Sequence, residues 1–146
     1  MPVVRPCPSC GVGNRIPASH LADEGRCGQC KAALPPVSEP LEADAALFDE
    51  VMRDAAVPAL VDFWAAWCAP CRMVAPEVAK AAQSLAGQAV VLKVDTERHP
   101  ELAERYGVHG IPNFIVLKGG HVVMQRPGYA SAAQLEQWVR AAAQRA

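Results

Sequence analysis

The chain has 146 residues, 51% of them hydrophobic and 20% charged, with a net charge of −1, which suits one domain with a full core plus a small appendage. Near-neutral charge argues against nucleic acid or an anionic membrane as the main partner, and no run reaches the roughly 18 apolar residues of a membrane span. The opening residues MPVVRPCPSC lack the apolar core of a secretory signal, so the chain reads as cytoplasmic, where its six cysteines point to metal or redox chemistry rather than structural disulfides.

Residues 1–37 hold four of the six cysteines and only scattered larger apolar side chains, among them Val3, Val4, Val12, Ile16, Leu21 and Leu34. Such a segment cannot bury a core of its own. The stretch LPPVSEP, from Leu34 to Pro40, reads as a short, semi-stiff linker. Residues 1–37 and 38–146 are therefore expected to be separate domains. Asp44 should cap a helix whose apolar stripe is Leu47, Phe48, Val51, Met52 and Ala55. Ala59 to Trp64 is a short, largely apolar, β-rich run and suits a buried strand. After the turn WCAPC, helical spacing resumes through Val74, Val78, Ala81 and Leu85, with Pro76 expected to kink that helix. A strand follows over Ala89 to Asp95, then a short helix from Pro100 to Tyr106. Asn113–Lys118 and His121–Arg126 flank Gly119-Gly120, a two-residue hairpin signal. Ser131 with Gln134 forms a capping box ahead of a helix that buries Leu135, Trp138, Val139 and Ala142. The order α, β, α, β, α, β, β, α predicts an α/β fold.

Cys7, Cys10, Cys27 and Cys30 follow the pattern C-x2-C-x16-C-x2-C, the spacing of a four-thiolate zinc site. Two disulfides, or free thiols in an unstructured tail, are the alternatives. Zinc is favoured because metal binding supplies folding free energy that this segment otherwise lacks. Gly11 and Gly28, each directly after a cysteine, should let the turns aim N–H groups at sulfur. His20 is the one nearby histidine, and with four sulfurs present it is not needed as a ligand.

Cys68 and Cys71 have no second pair to complete a tetrahedron and sit between a strand and a helix. Pro70 fits the first helical turn, where its absent N–H costs nothing. Cys68 then lies at the helix N-terminus, where unpaired N–H groups and the positive dipole end favour thiolate. Cys71, one turn in, should be the more sheltered. These positions make Cys68 the sulfur that attacks a substrate disulfide and Cys71 the one that resolves the mixed disulfide. Trp67 either shields the thiolate and offers a flat apolar surface or is a plain core residue; Trp64, ending the strand, reads as packing. Arg72 reads as a solvated helix charge.

Residues from about 42 to 146 resemble the thioredoxin family throughout: VDFWAAWCAPC, Pro76, KVD at Lys93 to Asp95, YGVHGIP at Tyr106 to Pro112, the Gly119-Gly120 hairpin and Gly128. With the four-cysteine extension, the likeness is to the zinc-containing bacterial thioredoxin-2 branch. The resemblance implies the thioredoxin fold, a central mixed sheet flanked by helices, with a zinc-ribbon-like N-terminal domain. It implies a protein-disulfide oxidoreductase cycling between dithiol and disulfide, a monomer with no directly bound nucleotide. An NADPH-dependent thioredoxin reductase would recharge it, and its clients would be oxidised proteins such as reductive enzymes. It also implies that Asp62 carries protons for Cys71, that Lys93 accompanies Asp62, and that Pro112 is cis. Asp62 and Lys93 as a mere buried ion pair is the alternative. Ala69, Pro70, Gly110, Ile111, Pro112 and Gly128 would complete a shallow groove with Trp67 for client chains. Two departures, Ala69-Pro70 for Gly-Pro and Pro127 before Gly128, border that surface. An oxidant or isomerase of the same fold, or a zinc ribbon recruiting partners, remains open, as does a redox-responsive zinc.

Overall fold

Residues too poor in apolar side chains for a core of their own fold as two short hairpins laid on a larger body. In the computed structural model, which describes residues 3–144, β1 (Val3–Pro6) pairs antiparallel with β2 (Gly13–Ile16). A 3-10 turn, Ala18–His20, leads to a second hairpin of β3 (Gly25–Arg26) and β4 (Ala33–Leu34). CPSC and CGQC are the two hairpin tips and are built alike. Cys7 N–H donates to Val12 O and Cys27 N–H to Ala32 O, both at 2.8 Å. Gly11 N–H reaches Cys7 O at 2.9 Å and Lys31 N–H reaches Cys27 O at 3.1 Å.

The larger body runs β5 (Leu41–Glu42), α1 (Ala45–Asp54), β6 (Ala59–Trp64), α2 (Ala69–Ser84), β7 (Val90–Asp95), α3 (Pro100–Arg105), β8 (Asn113–Lys118), β9 (His121–Pro127) and α4 (Ala132–Ala143). One mixed sheet takes the strands in the order β5-β7-β6-β8-β9. β5 and β6 flank β7 in parallel, whereas β8 is antiparallel to β6 and to β9. This is the helix-flanked mixed sheet that the sequence predicts, with β5 added: Leu41 and Glu42 carry no strand signal and become one by pairing with Leu92 and Lys93.

The central strands are apolar on both faces because both are covered. Val61, Phe63, Leu92, Val94 and Ile115 share a core with Leu47, Phe48 and Val51 of α1 and Leu102 of α3. Leu60, Val91, Phe114 and Val116 point the other way, against Val74 and Val78 of α2 and Leu135 and Val139 of α4. The expected caps are present: Leu47 N–H donates to Asp44 Oδ1 at 2.8 Å, and Ser131 and Gln134 bond reciprocally. Helix α2 continues through Pro76 to Ser84. Gly119 and Gly120 have φ of +59° and +80°, the pair of positive angles that a tight hairpin with right-handed strand twist requires.

The N-terminal hairpins are not a loose appendage. Ala18, Leu21 and Val37 are buried in the same core as Phe48 and Val51, with Val3 and Ile16 packed against it. Ala18 N–H donates to Glu50 Oε1 of α1 at 3.2 Å. No described helix is long and apolar enough to cross a membrane.

Candidate active site and metal centre

Strand β6 ends at Trp64, and after four intervening residues the chain enters α2, so everything at this turn is held by a buried strand on one side and a long helix on the other. Cys68 is the N-cap of α2, its Sγ accepting the Cys71 N–H at 3.2 Å. The two cysteines are joined as a disulfide with their Cα atoms 5.2 Å apart. The expected difference in shelter is absent, since both are 3% exposed. What separates them is position: the Cys68 sulfur sits on the helix N-terminus, receives a backbone N–H, and lies 3.7 Å from Ile111 O. Ala65 packs with the pair, and Trp64 and Ile111 lean on it.

Trp67 is 67% exposed, with its indole N–H donated to Glu97 Oε1 at 2.6 Å. The core alternative for this residue falls away: its ring is a pinned surface beside the disulfide. Arg72 is bonded rather than merely solvated, donating to Ala66 O at 2.7 Å and closing the turn before the cysteines. The Ile111–Pro112 peptide is cis. Gly128 N–H donates to Pro112 O at 2.8 Å, and Gly128 has φ of +89°, an angle at which a side chain would be strained. Ala69, Pro70, Gly110 and Gly128 are exposed, Ile111 is half-buried and Pro112 is buried. Sequence reading missed Met73 and Tyr129, both exposed apolar residues next to these positions. Met73 interrupts no helical stripe and Tyr129 lies in a loop, so their adjacency to Cys71 and Gly128 was the one available signal.

Asp62 is buried in the middle of β6, and neither carboxylate oxygen has a hydrogen-bond partner among the described residues. Burial pushes its carboxyl up to about 7, against the pull of Lys93 and with a push from Glu42. Strand alternation puts Asp62 with Leu60 on the face that α2 covers. Lys93 is its register partner on β7, but the ammonium is engaged elsewhere. It lies 3.9 Å from Glu42 Oε1 and 4.5 Å from the centre of the Trp64 ring.

The four remaining cysteines converge. All their Sγ atoms lie within 4.8 Å of one another, with Cys7–Cys30 at 3.6 Å and Cys10–Cys27 at 3.7 Å. A zinc tetrahedron with bonds near 2.3 Å needs sulfurs roughly 3.8 Å apart, so the donor set fits zinc. The surroundings suit thiolates. Cys7 Sγ accepts N–H groups from Ser9 and Cys10, and Cys27 Sγ accepts Gln29 N–H at 3.4 Å. Backbone N–H donation, led by that of Cys30, draws the Cys27 thiol down to about 6. Asn14, which sequence reading passed over, ties the centre together, its amide 3.6 Å from Cys27 Sγ and its Oδ1 accepting Gly28 N–H at 3.0 Å. Gly11 and Gly28 differ in use: only Gly11 takes a positive φ, and the Gly28 N–H goes to Asn14 Oδ1 rather than to sulfur. Gly11 at φ +79° corresponds to Lys31 at φ +64°, each following the second cysteine of its tip. His20 pairs with Asp23 at 2.8 Å and stands outside the cluster.

Comparison with known proteins agrees with this geometry. Residues 39–141 match the family model described as thioredoxin, and residues 6–32 match the one described as thioredoxin 2, N-terminal, a zinc ribbon. Thioredoxin C-3 of Corynebacterium nephridii is 37% identical over 133 residues, covering 91% of this chain and 90% of its own. The thioredoxin of Synechocystis sp. is 40% identical and covers 74% of this chain and 99% of its own. Among solved structures, a thioredoxin variant from Halobacterium salinarum NRC-1 superposes with a TM-score of 0.64 at 30% identity, over 75% of this chain and 95% of that one. The strand-to-helix dithiol is thus found in the fold that carries it in disulfide oxidoreductases. The chain belongs to the thioredoxin family, as a protein-disulfide oxidoreductase with an N-terminal zinc ribbon of the thioredoxin 2 type.

Proposed function

We propose that this oxidoreductase works as a cytoplasmic reductase of client-protein disulfides, recharged by an NADPH-dependent thioredoxin reductase and so passing electrons from that donor to its clients. The observation that carries the reading is the Cys68 sulfur at the N-cap of α2, accepting the Cys71 N–H. In the reduced protein that donor and the helix dipole favour the Cys68 thiolate. Cys68 attacks one sulfur of a client disulfide, forming a Cys68–client bond and releasing the other client sulfur as a thiolate. Cys71 gives up its proton and attacks Cys68 Sγ; the mixed disulfide breaks, and the client leaves with its second thiol. The client gains two electrons and Cys68/Cys71 returns to the disulfide.

Asp62, buried and unpaired, takes the Cys71 proton: its carboxyl, near 7, is matched to a transfer at neutral pH. Trp67, Ala69, Pro70, Gly110, Ile111, Pro112 and Gly128 bind the client chain. The support is their placement around the disulfide and the missing N–H of Pro112, which leaves the backbone at Ile111 open to an extended segment. Cys7, Cys10, Cys27 and Cys30 hold one zinc, which supplies tetrahedral cross-linking of the hairpin tips. The zinc unit is taken as residues 1–37 and the exchange unit as residues 38–146, in a monomer that needs neither nucleic acid nor membrane.

The test is insulin reduction coupled to NADPH and thioredoxin reductase. Cys68→Ser should abolish turnover, and Cys71→Ser should accumulate mixed disulfides with clients. Turnover by the Cys68→Ser protein would sink the mechanism. Two rapidly titrating thiols and one retained zinc are expected in the reduced chain; loss of zinc without a chelator would remove the metal assignment.

A further inference from the structure

Lys93 stands directly across from Asp62 in the β6–β7 register, yet among the described residues its ion pair is with Glu42 rather than with the buried carboxylate. Two contacts hold it there. The Glu42 carboxylate, at the edge strand β5, lies 3.9 Å from Nζ, and the Trp64 ring lies 4.5 Å beneath it. A cation over an indole face is held by the ring's quadrupole. The first contact draws the ammonium toward the sheet edge and the second toward the C-terminal end of β6, two residues beyond Asp62; Glu42 and Trp64 line an open groove of about 680 Å³ with Asp95 and Arg98. Asp62 is left with no hydrogen bond to either oxygen among the described residues.

We propose that Glu42 is a positioning residue for the exchange reaction: it holds the Lys93 ammonium over Trp64 and off Asp62, so that the buried carboxylate stays out of an ion pair and remains basic enough to take a proton. This rests on the reading of Asp62 as the proton carrier for Cys71. Were Lys93 to reach Asp62, the carboxylate would be locked by its partner, and a carboxylate held in such a pair is a weaker base that takes the Cys71 proton poorly. The groups around Asp62 leave few other routes. From β7 it faces Lys93, and from β5 Glu42. Its β8 partner is Phe114, and the helix α2 that covers its face contributes Cys71 at its first turn and no charged residue among its buried ones. Glu42 in turn feels Lys93, Asp95 and Arg98. The direction agrees with the charges: Lys93 lowers the Asp62 carboxyl and Glu42 raises it.

The experiment reads the Asp62 carboxyl by carbon-13 NMR across pH in the oxidised full-length protein. It compares the native chain, Glu42→Gln, Glu42→Ala and each of these combined with Lys93→Met. Glu42 is half exposed at an edge strand, so both substitutions leave the core intact, and the amide spectrum verifies this. Freeing Lys93 should lower the Asp62 midpoint by about 0.5 to 1 unit, with the shift at least halved when Lys93 is Met. The pH profile of mixed-disulfide resolution should move down with it. A midpoint that stays or rises in both Glu42 variants overturns the proposal, and an equal shift with and without Lys93 overturns the route through that ammonium. Resolution left unchanged by Asp62→Asn would instead remove the role of Asp62 itself. That result is separate, because the carboxyl titration is read without turnover.

Discussion

Asp62 couples stability to pH in the sense opposite to most carboxylates. An unfolded aspartate ionises near 3.9, whereas here burial, opposed by Lys93, pushes the carboxyl up to about 7. Between those two values the native chain holds a proton that the unfolded chain has released, so stability falls as pH rises through this window. Above both values the full cost of an unpaired buried charge is present. Asp62→Asn keeps the shape and removes the charge. At pH 8 it should therefore be more stable than the native chain by about 2 to 4 kcal/mol, while at pH 3.5 the difference should nearly vanish. Urea unfolding at the two pH values measures this. A stabilisation of equal size at both would mean that shape, not ionisation, sets the effect. The same substitution should slow resolution by Cys71, so stability and exchange are set against each other at a single residue.

At the scale of elements, α4 depends on its first turn. Ser131 Oγ accepts Gln134 N–H at 3.2 Å, and Glu77 of α2 accepts Ala132 N–H at 3.1 Å. Two of the four N–H groups that a helix start leaves unpaired are thereby satisfied by different elements. Ser131→Ala should cost about 1 kcal/mol, read as a lower urea midpoint with an unchanged slope; no loss would mean that Glu77 alone secures the turn. Caps of this kind made most of the fold legible from sequence, because Asp44, Ser131 with Gln134, and Gly119-Gly120 act through bonds that span only a few residues. Asp62 was legible as a charge in an apolar run. What stayed hidden depends on distant partners. Leu41–Glu42 is a strand only because β7 lies beside it. Lys31, not Gly28, takes the left-handed turn because the tip repeats by hydrogen bonding rather than by residue type. The Glu42–Lys93 contact joins two strands 51 positions apart in the chain, and no local pattern records it.

Across the whole molecule, the two units that the sequence separates share one core. Leu21 is 1% exposed and sits in the cluster of Phe48, Val51 and Val61, although it belongs to the cysteine-rich segment. Val37 N–H donates to Leu21 O at 3.0 Å, so the proline-rich stretch beyond the ribbon is itself tied to this contact. A segment that cannot bury a core alone gains one by lending side chains to its neighbour. Unfolding should then be a single transition rather than two. Leu21→Ala removes buried methyl groups from the shared cluster and should cost about 2 to 4 kcal/mol. The decisive feature is where that cost is felt. Tryptophan fluorescence reports the exchange unit, since Trp64, Trp67 and Trp138 all lie beyond residue 38, while thiol accessibility at Cys7 and Cys27 reports the ribbon. In a shared core both signals shift to lower urea together, and by the same amount. If Leu21→Ala released the ribbon thiols early while the tryptophan transition kept its midpoint, the hairpins would be a separately melting unit. The contact through Leu21 would then hold the ribbon in place without stabilising the sheet.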